Sequence, residues 1–544
     1  MTPPGMSRTR CTNALTRSSK AAIWWTGRAV GSAVLLLTAR PPDRLSAQAT
    51  IDTIVVVNHN IFDLSDDAPG FLARLANGLH VTTRAGVIRR TLLLNPGDRY
   101  DSARVAESER ALRGLYVFSR VRLDSTRVAG RLALRIETSD GWSTKPQFGY
   151  SSAGGDVTWL AGLVEENLLG TATSLATVYQ KTPDRTILDL RYVSPHFFGR
   201  RSRLGAEYAS KSDGKRGVWS LGVPFYETGA RHALVTDGEA ASERVLRFRA
   251  GRPDTTVWRR ALRFSAGAGI ASHATSRGYV RLWVGGQWRR EDFGPESLLS
   301  VFPRSTFAAA GAGVDVGHVR FQVLERFNSY ARREDVDLSQ LLHLGLWAAP
   351  RAWGYPSGRA GIGPEASAQV SALWPGGFVV LRGAANGVYA AGGLDTARVT
   401  GSVTVASQNL SRQTLVLHLE GGWLRQPKPG AEFDLWVLQK GPRVFGIHEF
   451  TGDRMVWLAL EDRLLIRDEL WGLVGVGVAP FFDYGGAWYA ADPVRLGGDV
   501  GLSLRLGPTR AIHGDVGEFA LGYRFGKGFA GSHWAIAVRK GIAF

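Results

Sequence analysis

The chain has 544 residues, 44% hydrophobic and 21% charged, a balance that supports a large folded core and excludes an intrinsically disordered protein. Its formal charge is +18, and its single cysteine, Cys11, excludes a disulfide within the chain.

The first 49 residues carry Arg8, Arg10, Arg17, Lys20, Arg28, Arg40 and Arg44 against Asp43 alone, and enclose an uncharged run from Ala29 to Ala39. These features, followed by Ala47-Gln48-Ala49, predict a signal peptide cleaved after Ala49. The run is shorter than the roughly 20 apolar residues of a retained anchor. Arg8-Thr9-Arg10 before Cys11 argues against a lipoprotein signal. Removing seven basic residues and one acidic residue lowers the charge from +18 to +12. A basic exported chain is expected to meet anionic lipid, peptidoglycan or unfolded protein before nucleic acid.

Residues 50–140 mix periods. Ile51 to Val57 predicts a strand and Thr82 to Leu94 a helix, with Asn95-Pro96-Gly97 as a break. A second helix is expected from a cap at Asp101 or Ser102, through Val105, Leu112 and Leu115, to a stop at Gly114. Val117, Val121 and Leu123, then Leu132, Leu134 and Ile136 beyond a turn at Ala129-Gly130, predict two strands. The order is β-α-α-β-β.

From 141 to 544, alternating segments of about ten residues are separated by Gly, Pro, Asp and Asn, which predicts an all-β transmembrane barrel of about sixteen antiparallel strands. Phe519, Leu521, Tyr523 and Phe525 oppose Ala520, Gly522 and Arg524. Val474, Val476, Val478, Phe482 and Tyr484 oppose Gly475, Gly477, Ala479 and Asp483, and Leu415, Leu417, Leu419 and Trp423 oppose His418 and Glu420. The longest run without a charge past the signal, Ala366 to Leu381, contains Pro375, Gly376 and Gly377 and is a poor helix for lipid, so a membrane crossing requires a closed barrel. A soluble sandwich or propeller would alternate too. The signal peptide and the Trp and Tyr available for interfacial girdles favour the barrel. So does the final strand, where Trp534, Ile536, Val538, Ile542 and Phe544 share a face interrupted by Lys540.

These residues resemble the BamA/TamA superfamily of outer-membrane assembly and translocation proteins, also called bacterial surface antigens. Val87-Ile88-Arg89-Arg90, Gly97-Asp98-Arg99-Tyr100-Asp101, Glu107-Ser108-Glu109-Arg110 and Leu112-Arg113-Gly114-Leu115 are similar to a polypeptide-transport-associated (POTRA) domain, which implies a small α+β periplasmic domain at 50–140. The segment 63–76 is extra to that pattern. Glu165-Glu166-Asn167-Leu168-Leu169-Gly170, Ser194-Pro195-His196-Phe197-Phe198-Gly199, Phe450-Thr451-Gly452-Asp453-Arg454, Leu460-Glu461-Asp462-Arg463 and Phe481-Phe482-Asp483-Tyr484-Gly485 resemble the family's barrel motifs. The terminal Phe544 strand resembles the recognition signal of outer-membrane barrels.

The family's V-R-G-F/Y loop tip matches Arg443-Val444-Phe445-Gly446-Ile447, with Phe445 at the arginine position. By alternation Val456, Leu458 and Leu460 face lipid, while Trp457, Glu461, Arg463 and Asp483 face the lumen. A hairpin tip near Arg467 to Glu469 would set Glu461 and Asp483 at different heights. The resemblance implies that the two nevertheless share a loop arginine, which here must be Arg443 or Arg454; otherwise Arg463 and water satisfy both.

A protein of this kind needs no catalytic residue, cofactor or metal. His448-Glu449 lacks the second His of H-E-x-x-H, no Walker loop or G-x-S-x-G occurs, and Ala266-Gly267-Ala268-Gly269 reads as small residues in a strand. The expected function is insertion or translocation of polypeptides at the outer membrane. Its partners would be unfolded or nascent outer-membrane polypeptides, outer-membrane lipid and periplasmic or lipoprotein factors. The alternative is a pore for small solutes or lipid.

Overall fold

The computed structural model describes residues 49–62, 70–151, 157–199, 201–295, 302–330, 333–355, 360–390, 393–435, 440–510, 516–527, 529 and 531–540. The signal segment through residue 48, the start of the 63–76 segment, and Ile542 and Phe544 lie outside them.

The N-terminal unit begins with β1 (Thr53–His59), continues through α1 (Gly70–Leu79), α2 (Ala85–Thr91) and α3 (Ser102–Arg113), and ends with β2 (Phe118–Val128) and β3 (Arg131–Asp140). It has one more helix than the sequence pattern predicts, because α1 begins within the segment 63–76 that is extra to that pattern. Asp101 caps α3 by accepting from Ala103 N at 2.8 Å. The turn between β2 and β3 uses Ala129 and Gly130, both at positive φ. The sheet order is β1-β3-β2, so β2 is an edge. Its inward face packs Val121, Leu123, Leu134 and Ile136 on Val87, Ile88 and Leu112 of the helices.

Twenty antiparallel strands, from Thr144–Ser151 to Trp534–Lys540, form a closed barrel in which each is hydrogen-bonded to its neighbours in sequence. This corrects the expected sixteen. The early strands are short, eight to ten residues each from Thr144–Ser151 to Gly214–Val223. Some hairpins turn on two residues, as at Ala250-Gly251 between His232–Arg249 and Arg252–Ala274, where both turn residues have positive φ. A turn that brief leaves no polar tract to mark it.

Alternation sorts the wall. Leu417, Leu419, Leu460, Phe482, Val500, Leu502, Phe519 and Leu521 are exposed outward, while Glu239, Arg259, Glu291, Glu461, Asp483 and Glu518 are buried inside. A closed backbone ladder with an apolar exterior is the β solution to a hydrocarbon environment. Among the described residues no helix is long and apolar enough to cross a membrane.

The N-terminal unit sits against the end of the barrel where strand Thr144–Ser151 begins, here called the near end. Arg84 N donates to Gly170 O at 2.9 Å, Arg201 Nη2 to Leu92 O at 3.0 Å, and Thr228 N to Glu107 Oε1 at 2.7 Å. The turns after three consecutive hairpins are thereby fixed to it.

Candidate functional site: the barrel seam and its lumenal brace

Closure joins the last strand, Trp534–Lys540, to the first, Thr144–Ser151. Among the described residues they pair only at Ala537↔Ser151 and Val538↔Tyr150. The last strand pairs with Gly517–Gly526 at seven positions, from Gly517↔Lys540 to Tyr523↔Trp534. Trp534 and Ile536, 59% and 55% exposed, flank the seam on the outer face.

The connection between strands Gln413–Arg425 and Arg454–Leu470 leaves the far end of the barrel, forms a small ribbon of Phe433–Leu435 with Phe450–Gly452, and sends its tip into the lumen. Arg443 at this tip is fully buried. Its Nε and Nη2 donate to the two oxygens of Asp483 at 2.6 and 3.0 Å, and its Nη1 reaches Glu461 at 3.1 Å and Glu518 at 2.7 Å. The guanidinium also lies 4.0 Å from the Phe481 ring centroid. Val444 N donates to Asp499 at 2.9 Å.

The network extends along the wall. Glu461 also accepts from Arg463 at 2.8 Å and from Arg505 at 2.9 Å, and Glu518 accepts from Arg539 of the last strand at 3.0 Å. Four buried arginines thus meet three buried carboxylates, with Asp499 beside them on the Val444 backbone. Bidentate guanidinium–carboxylate contacts of this sort fix geometry as well as charge. Apolar contact reinforces them, because Val444 packs with Phe481, Ala520 and Ala537, the last of these on the final strand. Gly522 permits that approach, since a Cβ there would stand 2.9 Å from Val444 Cγ2.

Of the residues picked out in the sequence, Arg443, Glu461, Arg463 and Asp483 come together. Arg454 does not: it is held at the far rim by Leu424 O at 2.8 Å and Asp453 at 3.1 Å. Phe445 occupies no charged site but is buried against Phe450 and Phe529. The guanidinium thus enters from two residues earlier in the loop. Glu461 and Asp483 are also nearer than the hairpin count predicts. The turn lies at 471–473, bulges shift the register near 465–470, and Asp483 pairs with Ala459 while Glu461 pairs with Phe481. Trp534, Ile536 and Val538 lie on the last strand, with Trp534 and Ile536 facing outward. Sequence reasoning missed Asp499, Arg505, Glu518 and Arg539. Their parity opposite the outward Val500, Leu502, Leu504 and Phe519 was the available signal.

A second tether holds the loop at the far end. His448 lies between Asp434 at 2.6 Å and Asp184 at 2.8 Å, stacked on Phe248 with centroids 3.6 Å apart. Burial disfavours its charge, but the two carboxylates outweigh that and push its pKa up to about 9.

Among solved structures the chain is similar to BamA from Haemophilus ducreyi lacking POTRA domains 1–3, at 12% identity over 91% of this chain and 84% of that one, with a TM-score of 0.36. It is similar to CdiB from Escherichia coli at 11% identity, over 90% of this chain and 76% of that one, with a TM-score of 0.47. The siderophore receptor PirA from Pseudomonas aeruginosa aligns at 13% identity, over 76% and 82%, with a TM-score of 0.34. None reaches 0.5, and the barrel rests on its own strand pairing. No family model and no curated protein matches the sequence.

Proposed function

We propose that this chain is an outer-membrane barrel of the BamA/TamA type that inserts or translocates polypeptides, with the near end and its N-terminal unit in the periplasm. The observation that carries the reading is the seam. Among the described residues two positions pair across it, and a seam with few paired positions offers backbone groups that a substrate strand can claim. The mechanism asks for no catalytic group. It asks for an edge that opens at small cost beside a bilayer, and for a last strand held in place while it does so. The brace from Arg443 through Glu518 to Arg539 meets the second need. The N-terminal unit fits a POTRA-like role, because β2 is a sheet edge to which an extended polypeptide can add.

A disulfide between Tyr150→Cys and Val538→Cys, which are paired across the seam, tests this reading. Oxidation is expected to stop assembly of a test barrel into vesicles containing the protein, and reduction to restore it. Equal assembly in both states would overturn the seam mechanism. If depletion in cells altered permeability while leaving the inventory of outer-membrane barrels unchanged, the pore for small solutes or lipid would replace it.

A further inference from the structure

Most near-end connections of the barrel are short, but the one between strands Phe302–His318 and Gln340–Ala349 is a ribbon of Phe321–Glu325 paired with Arg333–Asp337. It does not hang free. Phe327 and Leu338 are buried against Phe378, Val380, Ala406 and Val416 on the inner wall, with Leu324 and Val336 packed beside them. The carboxylate of Glu334 holds the tip by accepting from Asn328 N and Ser329 N, both at 2.8 Å. Beyond the tip Tyr330 lies on a glycine floor, where a Cβ at Gly475 would stand 2.7 Å from its ring, and it donates to Arg505 O at 3.3 Å. The ribbon therefore runs inside the near mouth from the eleventh strand to the eighteenth.

Its two ends touch the two parts of the molecule already described. At the base, Asp335 receives a bidentate fork from Arg113 of α3, with both bonds at 2.7 Å, and Arg110 lies 4.2 Å from the Phe321 ring centroid. At the tip, Phe327 O accepts from Arg463 Nη1 at 2.5 Å. Arg463, like Arg505, shares Glu461 with Arg443. Arg113 in turn ends the helix that packs behind β2, the open edge of the N-terminal sheet.

We propose that the ribbon is a plug for the near mouth, held in place by the N-terminal unit through Arg113 and Asp335, and that its release opens the lumen and takes one partner from the cluster bracing the last strand. This rests on the reading of the barrel as a polypeptide-handling pore and supplies its regulation. A polypeptide added to β2 bears on the element that carries the joint. A cavity of about 530 Å³ beside the ribbon, lined by Glu325, Arg326, Phe327, Gln408 and Thr414, gives it room to move.

The test uses the full chain in lipid, with Cys11→Ser removing its sole cysteine and Thr414→Cys placed under the ribbon, where Thr414 is buried and donates to Arg326 O. In this background the thiol is expected to resist a water-soluble maleimide, and single channels in planar bilayers to stay mostly closed. Arg113→Glu should expose the thiol and raise the open probability about tenfold, the ratio that corresponds to about 1.4 kcal/mol. Arg113→Glu with Asp335→Arg should return both readings towards the parent. The milder Asp335→Asn should move both readings in the same direction as Arg113→Glu, and heat-modifiable gel mobility identifies folded material. Labelling and conductance unchanged in folded Arg113→Glu and Asp335→Asn would overturn the plug. Because neither measurement uses a polypeptide substrate, a plug that opens in a protein that fails the vesicle assembly assay would sink the insertion reading alone.

Discussion

The last strand has two edges, and the barrel holds them in opposite ways. Along Gly517–Gly526 it is paired at seven positions and tied from inside through Arg539, Glu518 and Arg443. Along Thr144–Ser151 it is paired at two, among the described residues, and its own Trp534 and Ile536 are exposed on the outer face. The strand's position in the wall is thus fixed from its other edge and from inside the lumen. Buried charge suits this task, because its partners must all be present together.

Breaking the brace gives the largest expected effect. Arg443→Ala leaves Asp483, Glu461 and Glu518 without their shared cation, and removing one partner of a buried ion pair costs about 3–5 kcal/mol. The midpoint of heat-modifiable mobility or of urea unfolding in detergent should fall accordingly. A variant as stable as the parent would mean that Arg463 and Arg505 compensate.

The far-end tether should respond to pH. His448 is held up to about 9, above the ordinary histidine value of about 6.5, so its pairing with Asp434 and Asp184 is fully present below about 6.5 and is lost as pH rises through about 9. The stabilisation at stake is at most about 3 kcal/mol. Loop anchoring, followed by protease sensitivity of residues 426–453, should weaken across that window, and His448→Gln should flatten the dependence. A parent protein with no pH response between 6.5 and 9 would remove His448 from the tether.

Asp483→Asn keeps the shape of the pair and removes its charge, for an expected loss of about 1–3 kcal/mol. A defect in Asp483→Arg should be rescued by Arg443→Asp and not by Arg454→Asp, since only Arg443 touches Asp483. Rescue by the Arg454 change instead would place the wrong arginine in the cluster. Arg454→Ala is the smallest expected change, within about 0.5 kcal/mol, because its ion pair is at the rim and partly exposed.

Much of the wall was legible in the chain, because a strand with an apolar outer face and a polar inner face must alternate. Trp457, Glu461, Arg463 and Asp483 are inward for that reason. The same rule, applied to Gly497–Pro508 and Gly517–Gly526, would have found Asp499, Arg505 and Glu518. The strand number was harder to read. Alternation records a residue's face but not where a two-residue turn such as Ala250-Gly251 reverses the chain, and twenty strands fit where about sixteen were expected.

The sequence by itself determined the period of each segment, the face each side chain takes and the presence of acidic and basic residues on the inner face, since these follow from local geometry and solvent. The tertiary structure decided the rest. Bulges near 465–470 bring Asp483 within two residues of Glu461's partner, the loop enters so that Arg443 replaces the expected position of Phe445, and Asp335 meets Arg113 across 222 residues of chain. Such meetings depend on register, closure and the path of long connections through the lumen. No local pattern encodes them, because each is fixed only when every strand of the barrel has found its neighbour.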